Sequence, residues 1–159
     1  MKNLLKYTFL FIGILGYTLA WGQMVEPTYK FSFNVTEAQV GDTVEVLVKV
    51  TPPMGWHVYS TRNGECEISP MLASLELEKD SSFKRIGSLV PIGDKSKNDA
   101  IFECKVWYFE GVALFKQKIV ILSQDLSIKA EFNGQMCNDE ACIALFPDIF
   151  EIIGITIGD

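Results

Sequence analysis

The chain has 159 residues, a formal net charge of −6, and a hydrophobic content of 48%. Its acidic residues are spread along the chain rather than grouped, which argues against nucleic acid and anionic membranes as partners. The length fits one ordinary domain that can bury a core without the help of metals or many disulfides.

Residues 1–22 have the pattern of a secretory signal peptide. Two lysines near the start precede an apolar run from Tyr7 to Ala20. Small residues at Ala20 and Gly22 predict cleavage after Gly22, which leaves 23–159 as a single exported domain. The alternative is an uncleaved membrane anchor, but the run is shorter than the ~20 apolar residues that span a bilayer.

Alternation of apolar and polar residues with a period of two recurs along the rest of the chain and predicts half-buried β-strands. The alternating segments are, in chain order, Lys30–Val35, Thr43–Val50, Ser74–Glu78, Val112–Ile119, Ser127–Phe132 and Ile149–Ile157. The turn signals between them are Gly41-Asp42, Pro52-Pro53, Asn63-Gly64, Gly93-Asp94, Glu110-Gly111 and Asn133-Gly134. No segment shows a helical stripe, so we predict an all-β fold, an immunoglobulin-like antiparallel β-sandwich.

The stretch from Pro91 to Ala100 is polar and has the weakest strand pattern of the chain. We therefore predict a mobile loop there. This loop leads directly into Ile101, Phe102 and Glu103, which precede Cys104.

The chain has four cysteines, at Cys66, Cys104, Cys137 and Cys142, all after the predicted cleavage point. Because an exported chain meets an oxidising compartment, disulfides are the default expectation, and four cysteines allow three pairings. Proximity favours Cys137 with Cys142, which leaves Cys66 for Cys104. The alternative for the second pair is two buried free thiols, since unpaired cysteine packs well as a small apolar residue.

The segment from Met136 to Cys142 places two cysteines on either side of Asn138-Asp139, a turn signal. A hairpin at this point would bring the two sulfurs within disulfide distance. The spacing alone leaves open whether the bond is redox-active or an inert staple, and most disulfides of exported proteins are structural. Acidic neighbours disfavour a thiolate, so Asp139 and Glu140 predict a raised cysteine pKa and a need for activation by a partner.

No metal or cofactor site is predicted. A single histidine, His57, cannot complete a blue-copper site, and in its strand context we interpret it as a packed or edge residue rather than a base. The cysteines lack the paired short spacing of zinc ribbons. The absence of a Cys-x-x-Cys motif also excludes a thioredoxin-like active site.

Four motifs occur in an order that resembles a known family. They are GWHVYS at 55–60, ISP at 68–70, KVWYFEG at 105–111 and MCNDEAC at 136–142. In this order and spacing the chain resembles the periplasmic N-terminal domain of the thiol:disulfide interchange reductase DsbD. The resemblance covers nearly all of the chain after the predicted signal peptide.

The resemblance implies which residues carry the chemistry. Cys137 and Cys142 would be the redox pair, with Cys142 as the cysteine that forms the mixed disulfide. A short cap loop would shield this disulfide with Phe102, and Tyr59 would line the same site. Cys66 and Cys104 lie outside the family pattern.

The resemblance also implies a protein-disulfide reductase or interchange component located in the periplasm. The domain would relay reducing equivalents to client disulfides in disulfide isomerisation and cytochrome c maturation. The membrane and thioredoxin-like parts of the full reductase are not in this sequence, so the donor would be a separate thioredoxin-like protein or a membrane reductase. We expect a monomer without a cofactor, since sulfurs exchange directly. The alternative function is an exported immunoglobulin-like binding or adhesion module with purely structural disulfides.

Overall fold

The computed structural model of the chain describes residues 25–145 and 149–158. The predicted signal peptide, 1–22, and its cleavage point after Gly22 lie outside the described residues. Within the described ranges, no helix is long and apolar enough to cross a membrane.

The described residues form thirteen β-strands and no α-helix. The strands are β1 (Thr28–Phe33), β2 (Glu37–Gln39), β3 (Thr43–Thr51), β4 (His57–Asn63), β5 (Ser74–Leu77), β6 (Phe83–Pro91), β7 (Lys95–Asp99), β8 (Cys104–Glu110), β9 (Ala113–Ile121), β10 (Lys129–Cys137), β11 (Cys142–Leu145), β12 (Phe150–Glu151) and β13 (Thr156–Gly158). Each strand predicted from the alternation is present, but the last one, Ile149–Ile157, is split into the short strands β12 and β13.

Two antiparallel sheets form the body of the domain. One has the order β1-β3-β9-β6, and the other has the order β11-β10-β4-β8-β7, with β5 and β12 also paired to β10. Apolar residues from both sheets form one buried cluster, the main core, which includes Val46, Val48, Val58, Phe109, Phe115, Phe132 and Met136. The predicted all-β sandwich is therefore confirmed. One pairing departs from the antiparallel pattern, because β13 and β2 run parallel.

Alternation along β3 explains why this strand builds the core. Val46, Val48 and Val50 are fully buried, whereas the residues between them are half-buried or exposed. Side chains of a strand alternate between its two faces, so one face of β3 packs inward as a continuous apolar row. Burial of each valine stabilises the fold by about 1.5–3 kcal/mol relative to an exposed side chain.

Residues 95–99 form the edge strand β7, so the predicted mobile loop from Pro91 to Ala100 is wrong. Strand β7 pairs with β8 from Lys95 opposite Tyr108 to Asp99 opposite Cys104. Charged side chains suit an edge strand because they discourage pairing with other chains. The same charges hide the strand from a pattern search that relies on apolar residues.

The predicted turn at Asn133-Gly134 is also wrong, because both residues lie inside β10. Asn133 pairs with Ser74 of β5, and Gly134 pairs with Leu145 of β11. Strand β10 therefore changes its partner strand between these two residues. A Cβ atom at Gly134 would lie 3.5 Å from the Cα of Ala73, which is ordinary van der Waals contact.

Candidate functional site

The hairpin of β10 and β11 ends in a cross-strand cysteine pair. Cys137 and Cys142 are register partners, and residues 138–141 form the turn between them. The Asn138 side-chain oxygen accepts hydrogen bonds from the backbone N–H groups of Glu140 at 2.9 Å and Ala141 at 2.7 Å. This capping explains locally why the Asn-Asp sequence turns the chain.

Cys137 and Cys142 form a disulfide whose Cα atoms are 4.1 Å apart. The two cysteines differ in exposure: Cys137 is 0% exposed, and Cys142 is exposed to solvent. Disulfide exchange requires attack of a thiolate on one sulfur, with the other sulfur as the leaving group. Of the two cysteines, Cys142 is therefore the one that lies at the surface, within reach of a thiolate from outside.

Cys137 belongs to a small apolar cluster on the outer face of the seven-stranded sheet. This outer cluster consists of the buried residues Tyr59, Cys104, Val106 and Cys137, with Cys66, Phe102 and Tyr108 packed against them. Val58 and Met136 point into the main core. Their chain neighbours Tyr59 and Cys137 therefore point to the opposite face, because successive strand residues alternate.

Residues 100–103 form a turn between β7 and β8, here called the cap turn, which covers part of the outer cluster. The half-buried Phe102 ring meets Tyr59 edge-on, with ring centroids 5.5 Å apart and an interplanar angle of 88°. The Asp99 Oδ1 atom accepts the backbone N–H of Ile101 at 2.9 Å and of Phe102 at 3.3 Å. Asp99 thus holds the cap turn in the shape that places Phe102 over Tyr59.

A chain of hydrogen bonds runs through the site from His57 to Asp99. The Tyr59 hydroxyl donates to Asp99 Oδ2 at 3.1 Å, and His57 Nε2 lies 3.3 Å from the same hydroxyl. Because a tyrosine hydroxyl has one proton to donate, His57 is the donor in its contact with Tyr59. Lys97 completes the chain with an ion pair to Asp99 Oδ2 at 3.2 Å.

Burial and neighbouring groups shift the pKa of three residues in this series of hydrogen bonds. Burial raises the pKa of Asp99, but hydrogen bonds from Ile101, Lys97 and Phe102 outweigh burial, so the pKa is lower than usual. Burial and the adjacent Asp99 carboxylate raise the pKa of Tyr59 well above its ordinary value. Burial, with a smaller effect of Lys97, lowers the pKa of His57. At neutral pH the site therefore holds an ionised Asp99, a neutral Tyr59 and a neutral His57.

The second disulfide joins Cys66 to Cys104, with Cα atoms 5.3 Å apart. Cys104 is the first residue of β8 and directly follows the cap turn. Cys66 lies between β4 and β5 in residues 64–73, here called the Cys66 segment, which form no strand. Both cysteines contribute to the outer cluster.

The structure therefore brings together the six residues singled out from the sequence. Five of them lie in the outer cluster, and Cys142 is bonded to that cluster through Cys137.

Sequence reasoning missed Asp99, because it lay in a presumed loop and its partner Tyr59 is 40 residues away. Of the two interpretations of His57, a packed or an edge residue, the structure supports the packed one, since β4 lies between β10 and β8 and the His57 ring contacts Tyr59 and Tyr108. The alternating charges of Lys95, Lys97 and Asp99 were the available signal of a strand ending at the site.

No protein-family model matches the chain, and no curated protein matches it in sequence. Among solved structures, it is similar to the N-terminal periplasmic domain of ScsB from Proteus mirabilis, with 13% identity and a TM-score of 0.55. That likeness covers 84% of this chain and 47% of the ScsB chain, so this chain spans about half of that structure. The reduced DsbD N-terminal domain from Neisseria meningitidis has 13% identity and a TM-score of 0.48, covering 89% of this chain and 91% of that one.

At 13% identity the likeness to the ScsB domain concerns the fold. The fold is thus that of the ScsB N-terminal domain, and the resemblance indicated by the sequence motifs is confirmed at the level of the fold. The chemistry of the cysteines has to be argued from this chain's own site.

Proposed function

We propose that this domain is a periplasmic thiol–disulfide exchange component that relays reducing equivalents to client disulfides. The supporting observation is the asymmetry of the hairpin disulfide, in which buried Cys137 is bonded to exposed Cys142. The motif resemblance supports a thioredoxin-like or membrane-bound dithiol donor, and clients in disulfide isomerisation and cytochrome c maturation. The ScsB domain of the same fold is described as periplasmic, which agrees with the predicted export of this chain.

Exchange at this site proceeds in two balanced steps. A donor thiolate attacks the Cys142 sulfur, the Cys137–Cys142 bond breaks, and Cys137 leaves as a thiolate that takes up a proton. The second donor thiolate then attacks the donor sulfur of the mixed disulfide, and Cys142 leaves and is protonated. The donor ends as a disulfide and the domain as a dithiol. The reverse sequence, with Cys142 as nucleophile, reduces a client.

The cap turn limits this reaction to partners that can displace it. Phe102 and Tyr59 pack with Cys137 in one cluster, so they exclude solvent from the buried half of the disulfide. The backbone hydrogen bonds to Asp99 favour this closed arrangement. A docked partner that moves residues 100–103 would open the site, whereas a random thiol would meet only the edge of Cys142.

The proposal is tested by trapping a mixed disulfide with a thioredoxin-like protein in which the second cysteine of Cys-x-x-Cys is replaced by serine and the first is activated as a mixed disulfide with thionitrobenzoate, which is the leaving group. The Cys137→Ser variant keeps Cys142 but cannot resolve the mixed disulfide internally, so we expect a covalent complex on non-reducing gels. Peptide mass spectrometry should locate the bond at Cys142. The matched control is Cys142→Ser, which should give no complex, and circular dichroism checks that both variants are folded.

Two results would contradict the proposal. A complex formed through Cys137 in the Cys142→Ser variant would reverse the assigned roles. Absence of any complex, together with a Cys137–Cys142 bond that is reduced only when the domain unfolds, would favour a binding module with structural disulfides.

A further inference from the structure

We propose that Cys66–Cys104 is a second thiol–disulfide exchange site, and that its oxidation state sets how readily the cap turn opens over Cys137–Cys142. This inference rests on the proposed exchange function of the hairpin disulfide and adds a means of regulating it. The reductant would be a protein dithiol of the thioredoxin-like class.

The disulfide is attached directly to the moving part of the site. Cys104 follows Glu103, the last residue of the cap turn, and pairs in register with Asp99 at the other end of that turn. Glu103 has a φ angle of +51°, which non-glycine residues adopt infrequently. A covalent bond at Cys104 therefore restrains the point at which the turn joins β8.

The other end of the bond lies on a segment that is itself held in place. In the Cys66 segment, the Gly64 N–H donates to the Lys105 carbonyl at 2.7 Å. Farther along, the Met71 N–H donates to the Gln135 side chain at 2.7 Å. Cys66 lies between these two anchors, so its bond to Cys104 ties the cap turn to a segment fixed on both sides.

The two disulfides share one apolar environment. Cys66, Cys104, Phe102 and Cys137 all belong to the outer cluster. Side chains in such a cluster hold each other in place, so release of Cys66 loosens the packing around Phe102. Loosening at Phe102 in turn uncovers Cys137. Reduction of Cys66–Cys104 thus favours opening of the cap turn over Cys137–Cys142.

The exchange at Cys66–Cys104 follows from the exposure of its two ends. Cys66 is half-buried, whereas Cys104 is only 9% exposed. The partner's thiolate therefore attacks the Cys66 sulfur, and Cys104 is the leaving thiolate. Cys104 takes up a proton, and the partner's second thiolate then releases Cys66, which is also protonated. The partner is oxidised to a disulfide, and the domain gains two thiols.

The first experiment measures access to the hairpin disulfide in the presence and absence of the long one. The double variant Cys66→Ala/Cys104→Ala and the unmodified protein are mixed with dithiothreitol, then alkylated, and peptide 136–142 is quantified by mass spectrometry over time. We expect reduction of Cys137–Cys142 to be at least about tenfold faster in the double variant, because the rate follows the population of the open state.

A general loss of stability must be separated from local opening. Val46→Ala is the matched control, because Val46 is fully buried in the main core on the other sheet. It should destabilise the domain without speeding reduction of the hairpin disulfide. Phe102→Ala should speed reduction in the unmodified background but add little in the double variant, since interacting changes are not additive.

The second experiment tests the redox activity of Cys66–Cys104 itself. In the Cys137→Ala/Cys142→Ala variant, dithiothreitol should reduce Cys66–Cys104 while the domain stays folded by circular dichroism. Amide hydrogen exchange at Ile101 and Phe102 should then rise. This measurement does not require the Cys66→Ala/Cys104→Ala variant to fold.

Equal reduction rates with and without the long disulfide would overturn the proposal, as would reduction of Cys66–Cys104 only upon unfolding. Acceleration by Val46→Ala equal to that of the double variant would also overturn it. The small dithiol reports access alone, so these failures differ from failure of the proposed function, which shows as a missing complex in the trapping experiment with Cys137→Ser.

Discussion

The two disulfides of this domain differ in what they join. Cys137–Cys142 spans 5 residues of sequence and links two strands that already pair as a hairpin. Cys66–Cys104 spans 38 residues and links an irregular segment to the start of β8. The short bond repeats a constraint that the backbone hydrogen bonds supply, whereas the long bond adds a new one. Breaking the short bond should therefore cost the fold less than breaking the long one.

The largest expected effect is on stability. By loop-closure entropy, the long disulfide should contribute about 4 kcal/mol and the short one about 2 kcal/mol to the free energy of unfolding. Urea denaturation of Cys66→Ala/Cys104→Ala and of Cys137→Ala/Cys142→Ala measures both values. A greater loss from the hairpin pair would mean that the short bond constrains the fold more than the long one, and the comparison would be reversed.

A smaller effect is expected from the hydroxyl of Tyr59. Tyr59→Phe keeps the ring contact with Phe102 but removes the hydrogen bond to the buried Asp99, so we expect a loss of about 1–3 kcal/mol in the free energy of unfolding. Reduction of Cys137–Cys142 by dithiothreitol should become faster.

The matched control for that change is Tyr108→Phe. The Tyr108 hydroxyl donates to Glu110 on the exposed surface, so its loss should alter stability by less than about 0.5 kcal/mol. Equal effects of the two substitutions would show that the hydrogen bond from Tyr59 to Asp99 does not hold the cap turn.

The smallest effect is expected from acid. Since the pKa of Asp99 is lower in the folded domain than its ordinary value, Asp99 stabilises the fold above about pH 4, and this contribution is lost as the pH falls through the folded pKa. The Tm should therefore fall more steeply between about pH 5 and pH 2 for the unmodified protein than for Asp99→Asn. A phosphine reductant, which acts at low pH, should show easier reduction of the hairpin bond over the same range. Parallel curves for the two proteins would exclude Asp99 as the pH-sensitive support of the cap turn.

Much of the fold could be predicted from local patterns. The row of valines in β3 and the alternation in β9 show the period of two because each strand has one face on the main core. Prediction from the period of two was wrong where a strand does not have one continuous face on the main core. Strand β7 is a charged edge strand, and β10 continues through Asn133-Gly134 because two different strands pair with it on either side of that point.

The candidate site also has a part that local sequence predicts and a part that it does not. Asn138 and the short spacing of Cys137 and Cys142 predict a hairpin from residues that are close in sequence, and the motif resemblance singled out Tyr59 and Phe102. The partnership of Tyr59 with Asp99 could not be predicted, because it joins two strands 40 residues apart.

By itself, the sequence determined the all-β pattern, the hairpin between Cys137 and Cys142, and the order of motifs that indicates a DsbD-like fold. These properties depend on the period of a strand and on residues a few positions apart. Only the tertiary structure decided that Cys137 is buried while Cys142 is exposed, and that Cys66–Cys104 is anchored beside the cap turn. Burial and proximity of this kind arise when distant strands enter one sheet and present side chains to the same face, and no local pattern records that event.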